Sequence, residues 1–274
     1  MDLSNENIIH VKKDNIEYLQ FRKLLEYKDR INHAYSIGID RNYRTVYSDE
    51  KKYRKAINDY KELCNELEEN YINIVKPNQS HTKNVQVVNK KIKLEQPDVN
   101  LEEYTETDGL ITNKRNIMLA TTNADCILLL FFDPVKKVIA NVHSGWKGTV
   151  QRISTETVKK MIEIYKCNPQ DIICCICPSI RKCHFEVRRD VYELFYNEFK
   201  ELKDIENIIT KKENEDKWLI DTVKINQIIL EEIGLKKENI IDSGICSVCN
   251  SSKIHSYRAE KEGYGLNTAL IEIK

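Results

Sequence analysis

A cysteine and a histidine each stand at the edge of an apolar run: Cys126 in TTNADCILLLFFDP (121 to 134) and His143 in NVHSGWKGTV (141 to 150). A thiolate and an imidazole held at the edge of a rigid sheet suit two kinds of chemistry. They form a Cys/His nucleophile pair, or they supply two of the three protein ligands of a catalytic zinc. Taking His81, in PNQSHTKNVQVV, as a third ligand gives a His/Cys/His set that leaves one position open for water or substrate, as catalytic zinc requires. The three residues lie far apart in the chain, so local spacing does not choose between these readings or against plain packing.

The two segments read as the beginning and end of one antiparallel strand pair. Upstream, residues 51 to 70 place Tyr53, Ile57, Tyr60, Cys64 and Leu67 at helical spacing between charges, which predicts an amphipathic helix. The stretch from Asn73 to Asn100 is richer in Val, Ile, Asn and Lys, with Pro77 and Pro97 as breaks, and predicts strands joined by loops. After the strand pair, Ile153, Val158, Met161, Ile162 and Tyr165 form one face of a helix that ends near Asn168 and Pro169, and IICCI follows as a buried strand. Further helices are expected around Arg189 to Leu202 and from Thr222 to Ile233, the latter with Asp221 as N-cap and Gly234 as stop. KKENEDKW reads as a polar connection, and the end of the chain as strand, loop and strand. Strands and helices intersperse from about Ile31 onward without a Pro/Gly/Ser-rich linker. The expectation is an α/β fold, a single domain of mixed β-sheets flanked by helices over 31–274, preceded by an N-terminal extension at 1–30.

Composition limits the partners. The chain has 274 residues, 41% of them hydrophobic and 31% charged, and its 43 Lys plus Arg balance 43 Asp plus Glu. With no global basic field, nucleic acid and anionic membrane are not expected partners. The N-terminus lacks a charged lead into an apolar core, and the longest unbroken apolar run, Cys126 to Phe132, is far shorter than a bilayer span, so the expected location is the cytoplasm. An odd count of nine cysteines on such a chain favours reduced thiols over a disulfide framework. Cys64, Cys167, Cys174 and Cys175 read as small core residues. Cys246-Ser-Val-Cys249 is a CxxC without a second CxxC to complete a zinc site, and a structural role is expected.

Several strings carry a resemblance: NADC (123 to 126), VHSGWKGT (142 to 149), PSIRKCHFEV (178 to 187), WLIDTVKINQIIL (218 to 230), IC (245 to 246) and SYR (256 to 258). In this order they resemble the laccase-domain family, once called multicopper polyphenol oxidoreductases and now described as purine nucleoside phosphorylases of broad specificity. The resemblance covers roughly Asn32 to the C-terminus, and its specific part is the ADC and HSGWKGT blocks. It implies one α/β domain, zinc ligands at His81 (within Gln79-Ser80-His81), Cys126 and His143, and polar site positions at Asp125 and Lys147. It also implies phosphorolysis of adenosine, inosine, guanosine and methylthioadenosine, with deamination of adenosine. In that frame Arg258 and Lys147 would supply positive charge to phosphate, and Asp125 would accept a proton or orient a ligand histidine. Gly145 and Gly148 bracket Trp146 and Lys147 at a helix start that suits an anion, although a plain strand-to-helix turn has the same pattern.

This sequence departs from the family pattern at Cys177, Gly265-Leu266 and Ala259, where the family shows Gly, Gly-Arg and a second Arg, and in the segment around 32 to 55. His184 and His255 also stand where the family shows other residues and are expected to pack rather than ligate, and His33 has no evident chemical role. Three functional readings follow. The first is a zinc-dependent nucleoside phosphorylase with deaminase activity; the second is a metal-free Cys126/His143 hydrolase or an editor of cell-wall precursors. The third is a degenerate nucleoside-binding member without turnover. Copper oxidase chemistry is the weakest reading, because well-placed histidines are too few for a multicopper cluster.

Overall fold

The computed structural model describes residues 1–13, 16–46, 48–89 and 104–274. Pro97 and the rest of the predicted loop-and-strand stretch beyond 89 lie outside the described residues. Two six-stranded sheets form the body. The first runs in the order β1 (Ile8–Lys13), β2 (Ile16–Phe21), β3 (Ile31–Ile37), β15 (Asn267–Ile273), β7 (Met118–Asn123) and β4 (Ile74–Val75). The second runs β14 (Ile240–Asp242), β10 (Ile173–Ile176), β8 (Ile127–Asp133), β9 (Val138–Ser144), β6 (Gly109–Thr112) and β5 (Val85–Val87). A smaller sheet joins β11 (Glu186–Arg188), β13 (Lys217–Ile220) and β12 (Ile209–Lys211). Residues 1–30, set apart by sequence as an extension, supply β1, β2 and the short α1 (Arg22–Leu25), and β2 pairs with β3.

The period-two geometry of β8 shows why the sheets stack. Leu128, Leu130 and Phe132 face the core between the two large sheets, whereas Ile127, Leu129 and Phe131 face the opposite layer. That outer layer is α4 (Ile153–Tyr165) and α7 (Thr222–Glu232), which contribute Val158, Met161, Val223 and Leu230. On the far side, α2 (Glu50–Glu66) lays Tyr60, Leu63 and Cys64 on Ala34, Met118 and Leu270 of the first sheet. The result is helix, sheet, sheet, helix, an α/β fold with mixed sheets. Asn141 of β9 stitches the two sheets: its amide donates to the carbonyls of Leu119 and Ala269 and accepts from the Thr121 hydroxyl. Satisfying all its polar atoms makes this buried amide tolerable.

The caps follow sequence closely. Asp49 accepts from the Lys52 amide at 3.0 Å to start α2, and Asp221 accepts from the Lys224 amide at 2.9 Å to start α7. Elsewhere tertiary structure adjusts the reading. The helix expected after Gly148 is two pieces, α3 (Trp146–Val150) and α4, because Arg152 takes a left-handed conformation at φ 58°. The helix expected to reach Leu202 is α5 (Arg189–Phe199), followed by α6 (Ile205–Ile208). KKENEDKW spans the hairpin between β12 and β13, with residues 212–216 as its turn and its two ends in the strands. The end of the chain holds one strand, β15, since Ser256 caps the short α8 (Tyr257–Glu260) where a strand was expected. His33 accepts the Phe21 amide at 2.8 Å, and burial holds its imidazole down at about 3, so it is a neutral link between β2 and β3.

Candidate metal centre in a deep cavity

β8 and β9 pair antiparallel with Leu128 opposite His143, so Cys126, just before β8, lies beside His143 at the same end of the ladder. The turn carrying Cys126 is tightly held. Asn123 donates its amide to the carbonyls of Cys126 at 2.6 Å and Pro178 at 3.1 Å, while its own oxygen accepts from Tyr35 at 3.0 Å. His81 arrives on a loop pinned by Gln79, whose side chain donates to the Thr122 carbonyl and accepts the Thr122 amide, each at 2.8 Å. In effect Gln79 adds a ladder rung at the end of β7, which gives the Gln-x-His spacing a mechanical reason.

His81, Cys126 and His143 converge so that their ligand atoms all lie within 4.8 Å of one another. Cys126 Sγ is 3.9 Å from His81 Nε2, and the two imidazoles meet edge to face with centroids 4.9 Å apart. Gly145 is required by this closeness: a Cβ there would stand 2.7 Å from His81 Cδ2 and 3.3 Å from Cys126 Sγ.

Asp108 organises the cluster, and sequence reasoning missed it. Fully buried, it accepts from His143 Nδ1 at 2.8 Å and from the amides of His81 at 3.0 Å and Thr82 at 2.7 Å. Burial raises this carboxyl, but the hydrogen bonds from His143 and Thr82 outweigh it and leave it below the ordinary carboxylate value. With Nδ1 committed to Asp108, His143 turns its other nitrogen toward Cys126, the arrangement that fixes a metal-ligating histidine. Burial also opposes charge on Cys126 and His143 themselves. The His143 and His81 interactions nevertheless bring the Cys126 thiol down to about 6, and the Cys126 and Asp108 interactions bring His143 up to about 9. Each partner thus favours the charged form of the other, a thiolate beside an imidazolium.

Asp125 has a different place from the one expected. At φ 88°, an uncommon conformation for a residue with a Cβ, its carboxylate accepts from Ser247 Oγ at 2.6 Å and from the Arg258 amide at 2.7 Å. Orientation of His143 falls to Asp108, and Asp125 ties the Cys126 turn to the loop at 247 and to α8 at Arg258.

His81, Cys126 and His143 line a cavity of about 840 Å³ together with Asp125, Trp146, Arg258 and the tyrosines 257 and 264. Arg44 and Lys76, neither singled out by sequence, also line it. Arg44 stacks 4.2 Å over the Tyr264 ring and donates to the Tyr264 carbonyl at 3.2 Å. Burial lowers the Lys76 ammonium to about 7. Arg258 is anchored by donating to the carbonyls of His184 at 2.9 Å and Glu186 at 3.2 Å. Lys147 is not brought into the group: it is exposed, does not line the cavity, and holds its ammonium 5.5 Å from the Trp146 ring. His255 packs as expected, donating to the Arg41 carbonyl at 2.6 Å beside Glu260. His184 does more than pack, since it stands among Cys183, Cys246 and Cys249. The cysteines at 64, 167, 174 and 175 are buried in the core, with their thiols pushed up by desolvation.

Among the described residues no helix is long and apolar enough to cross a membrane. The whole fold is similar to a solved protein from Bacillus licheniformis, the hypothetical protein YfiH, with a TM-score of 0.86, 22% identity and coverage of 98% of this chain and 100% of that one. It is also similar to YlmD from Geobacillus stearothermophilus, with a TM-score of 0.84, 20% identity and coverage of 97% and 99%. By sequence, the purine nucleoside phosphorylase YlmD of Bacillus subtilis is 34% identical over 61% of this chain and 59% of its own length. The human purine nucleoside phosphorylase LACC1 is 32% identical over 63% of this chain and 40% of its own length. The matched region thus spans about half the length of these two relatives. A protein described as adenosine deaminase RL5, from an unknown prokaryotic organism, is 29% identical over 68% of this chain and 69% of its own length. Residues 42–274 match the sequence model for the multi-copper polyphenol oxidoreductase laccase family, and with most of the chain so matched, the protein belongs to that family.

Proposed function

We propose that this chain is a zinc-dependent purine nucleoside phosphorylase that also deaminates adenosine. One observation carries the reading: the His81/Cys126/His143 cluster opens on a cavity large enough for a nucleoside, with cations and aromatic rings on its other walls. The names of the relatives agree with it. Two imidazoles and a thiolate suit zinc in donor type and number, and leave a position facing the cavity. The same donors resemble a copper site, although among the described residues no methionine lines the cavity as a weak axial ligand. His10, His33 and His255 are committed to other partners, which leaves too few histidines for a multicopper cluster. His81, Cys126 and His143 would hold a zinc ion, which would supply Lewis-acid stabilisation to an oxygen on the substrate side.

The remaining work falls to the chain. In phosphorolysis a phosphate oxygen bonds to C1′ of the ribose while the bond to the purine nitrogen breaks and its electron pair leaves with the base. The products are ribose 1-phosphate and free purine. Arg44 and Lys76 place positive charge for the phosphate, and an anion beside Lys76 would restore the proton that burial disfavours. Arg258 adds charge from α8, in the role the resemblance implies. Tyr257 and Tyr264, edge to face at 5.0 Å, offer a surface for the purine. Glu186 is held down at about 2 by Lys212 and Lys217, so it is a fixed acceptor in the wall and not a proton donor.

The test is turnover of inosine and adenosine by zinc-loaded protein with and without phosphate, following free base, ribose 1-phosphate and ammonia. Phosphate-dependent appearance of base and ribose 1-phosphate together is expected. Base release that ignores phosphate, or no release with zinc bound, overturns the phosphorylase reading and brings forward the hydrolase or binding-only alternatives.

A further inference from the structure

We propose that Cys183, His184, Cys246 and Cys249 form a second, closed zinc site that clamps together the two loops that carry them. Topology brings the ligands together. β10 and β14 are parallel neighbours, with Cys174 opposite Ile240, so the loops leaving their C-terminal ends emerge side by side. The pairing continues into the loops: Ser179 bridges Cys246, the Ser179 amide donates to the Ile245 carbonyl at 3.3 Å, and the Ser247 amide donates to the Ser179 carbonyl at 3.0 Å. The first loop carries Cys183 and His184, and the second carries the CxxC. The missing half of the CxxC site is supplied from 62 residues away at His184.

The distances fit a tetrahedral ion. Zinc–sulfur bonds of about 2.3 Å and zinc–nitrogen bonds of about 2.05 Å place tetrahedral sulfurs roughly 3.8 Å apart, with nitrogen roughly 3.6 Å from each sulfur. Cys183 Sγ is 3.7 Å from Cys246 Sγ and 4.0 Å from Cys249 Sγ. His184 Nδ1 is 3.7 Å from Cys246 Sγ, 3.6 Å from Cys249 Sγ and 3.1 Å from Cys183 Sγ. These sulfurs are well beyond the roughly 2.05 Å of a disulfide, and three of them surround one imidazole nitrogen.

Four protein donors without a carboxylate leave no open position, so the site is structural. None of the four residues lines the cavity. The clamp nevertheless reaches the cavity through two neighbours. Ser247, inside the CxxC, holds the Asp125 carboxylate next to Cys126, and the carbonyl of His184 itself holds the Arg258 guanidinium. Zinc binding here displaces the three thiol protons, which are released to solvent.

The test separates this site from the cavity site. Zinc-loaded full chain is expected to hold two zinc ions. A triple variant, His81→Ala, Cys126→Ala and His143→Ala, is expected to keep one, and with cobalt in place of zinc to show the intense thiolate-to-metal absorption of a three-thiolate tetrahedral site. Cys183→Ser with Cys249→Ser, in that background, is expected to abolish the metal and the absorption. Absence of both from the triple variant overturns the proposal, as does an intact mass two hydrogens light from a disulfide among these cysteines. Because the triple variant lacks the cavity cluster, its result is independent of whether the cavity binds zinc or the protein turns over nucleosides.

Discussion

The two Cys/His clusters use the same chemical groups for different ends. At the cavity, two histidines and one cysteine present three donors and an open side, and a buried carboxylate, Asp108, fixes one imidazole. At the loop pair, three cysteines and one histidine complete a tetrahedron, supported by the backbone pairing of the two loops. Donor count separates a centre that can engage a substrate from one that fastens chain segments. The support differs for the same reason: a reacting centre needs an oriented ligand, and a fastener needs only proximity of loops.

The sharpest way to break the comparison is Cys126→Ala. It should remove zinc from the cavity and lower phosphorolysis by on the order of 10²–10³-fold or more, while the Cys183 cluster keeps its metal. Zinc content and turnover of the same purified variant check this, and wild-type zinc content would show that the cavity cluster is not a metal site. Asp108→Asn is expected to act next most strongly, weakening zinc at the cavity alone by about 10- to 100-fold, as read by competition with a chromophoric chelator. Equal weakening at both clusters would mean that Asp108 serves the fold generally.

In metal-free protein, the thiols should differ in reactivity. Cys126 has a depressed value near 6, so it is a thiolate above that pH and loses its nucleophile as pH falls below it. Its alkylation rate should be level from pH 7 to 8 and fall about tenfold per unit well below 6. Burial and the Cys246 hydrogen bond push Cys249 upward, so it should still be gaining reactivity across that range. Peptide mapping after timed alkylation distinguishes the two, and matching profiles would contradict the ion pair at the cavity. The smallest effect is expected from Lys147→Ala. As Lys147 lies outside the cavity, the phosphate KM should change less than about twofold, whereas Lys76→Met should raise it about tenfold; the reverse order would return Lys147 to the phosphate site.

Much of the fold was legible from periodicity and caps. The apolar runs around 127–133 and 138–144, the α2 stripe and the Asp221 cap all appear where their side chains demanded. β1 and β2 were also legible in principle, as two alternating runs separated by Asp14-Asn15. Strands of two to four residues such as β4, β12 and β14 were not, because their pairing comes from neighbours and not from their own pattern. The site divides likewise. His81, Cys126 and His143 could be grouped by donor type, but only the family resemblance favoured that grouping over others, since the ladder between β8 and β9 and the Gln79 clamp assemble them. Asp108 had no local signal among many acidic residues, and Arg44 and Lys76 became candidates only when the fold placed them in the cavity wall. The CxxC hid its partners because parallel pairing of β10 and β14, invisible in sequence, supplies them.

Zinc-edge anomalous diffraction from crystals of the zinc-loaded chain tests the central claim most directly. A peak bonded to His81, Cys126 and His143, with its remaining position facing the cavity, is the expected result. No peak among those three residues, in crystals that show zinc at Cys183, His184, Cys246 and Cys249, would contradict the assignment of the cavity cluster as the reaction centre.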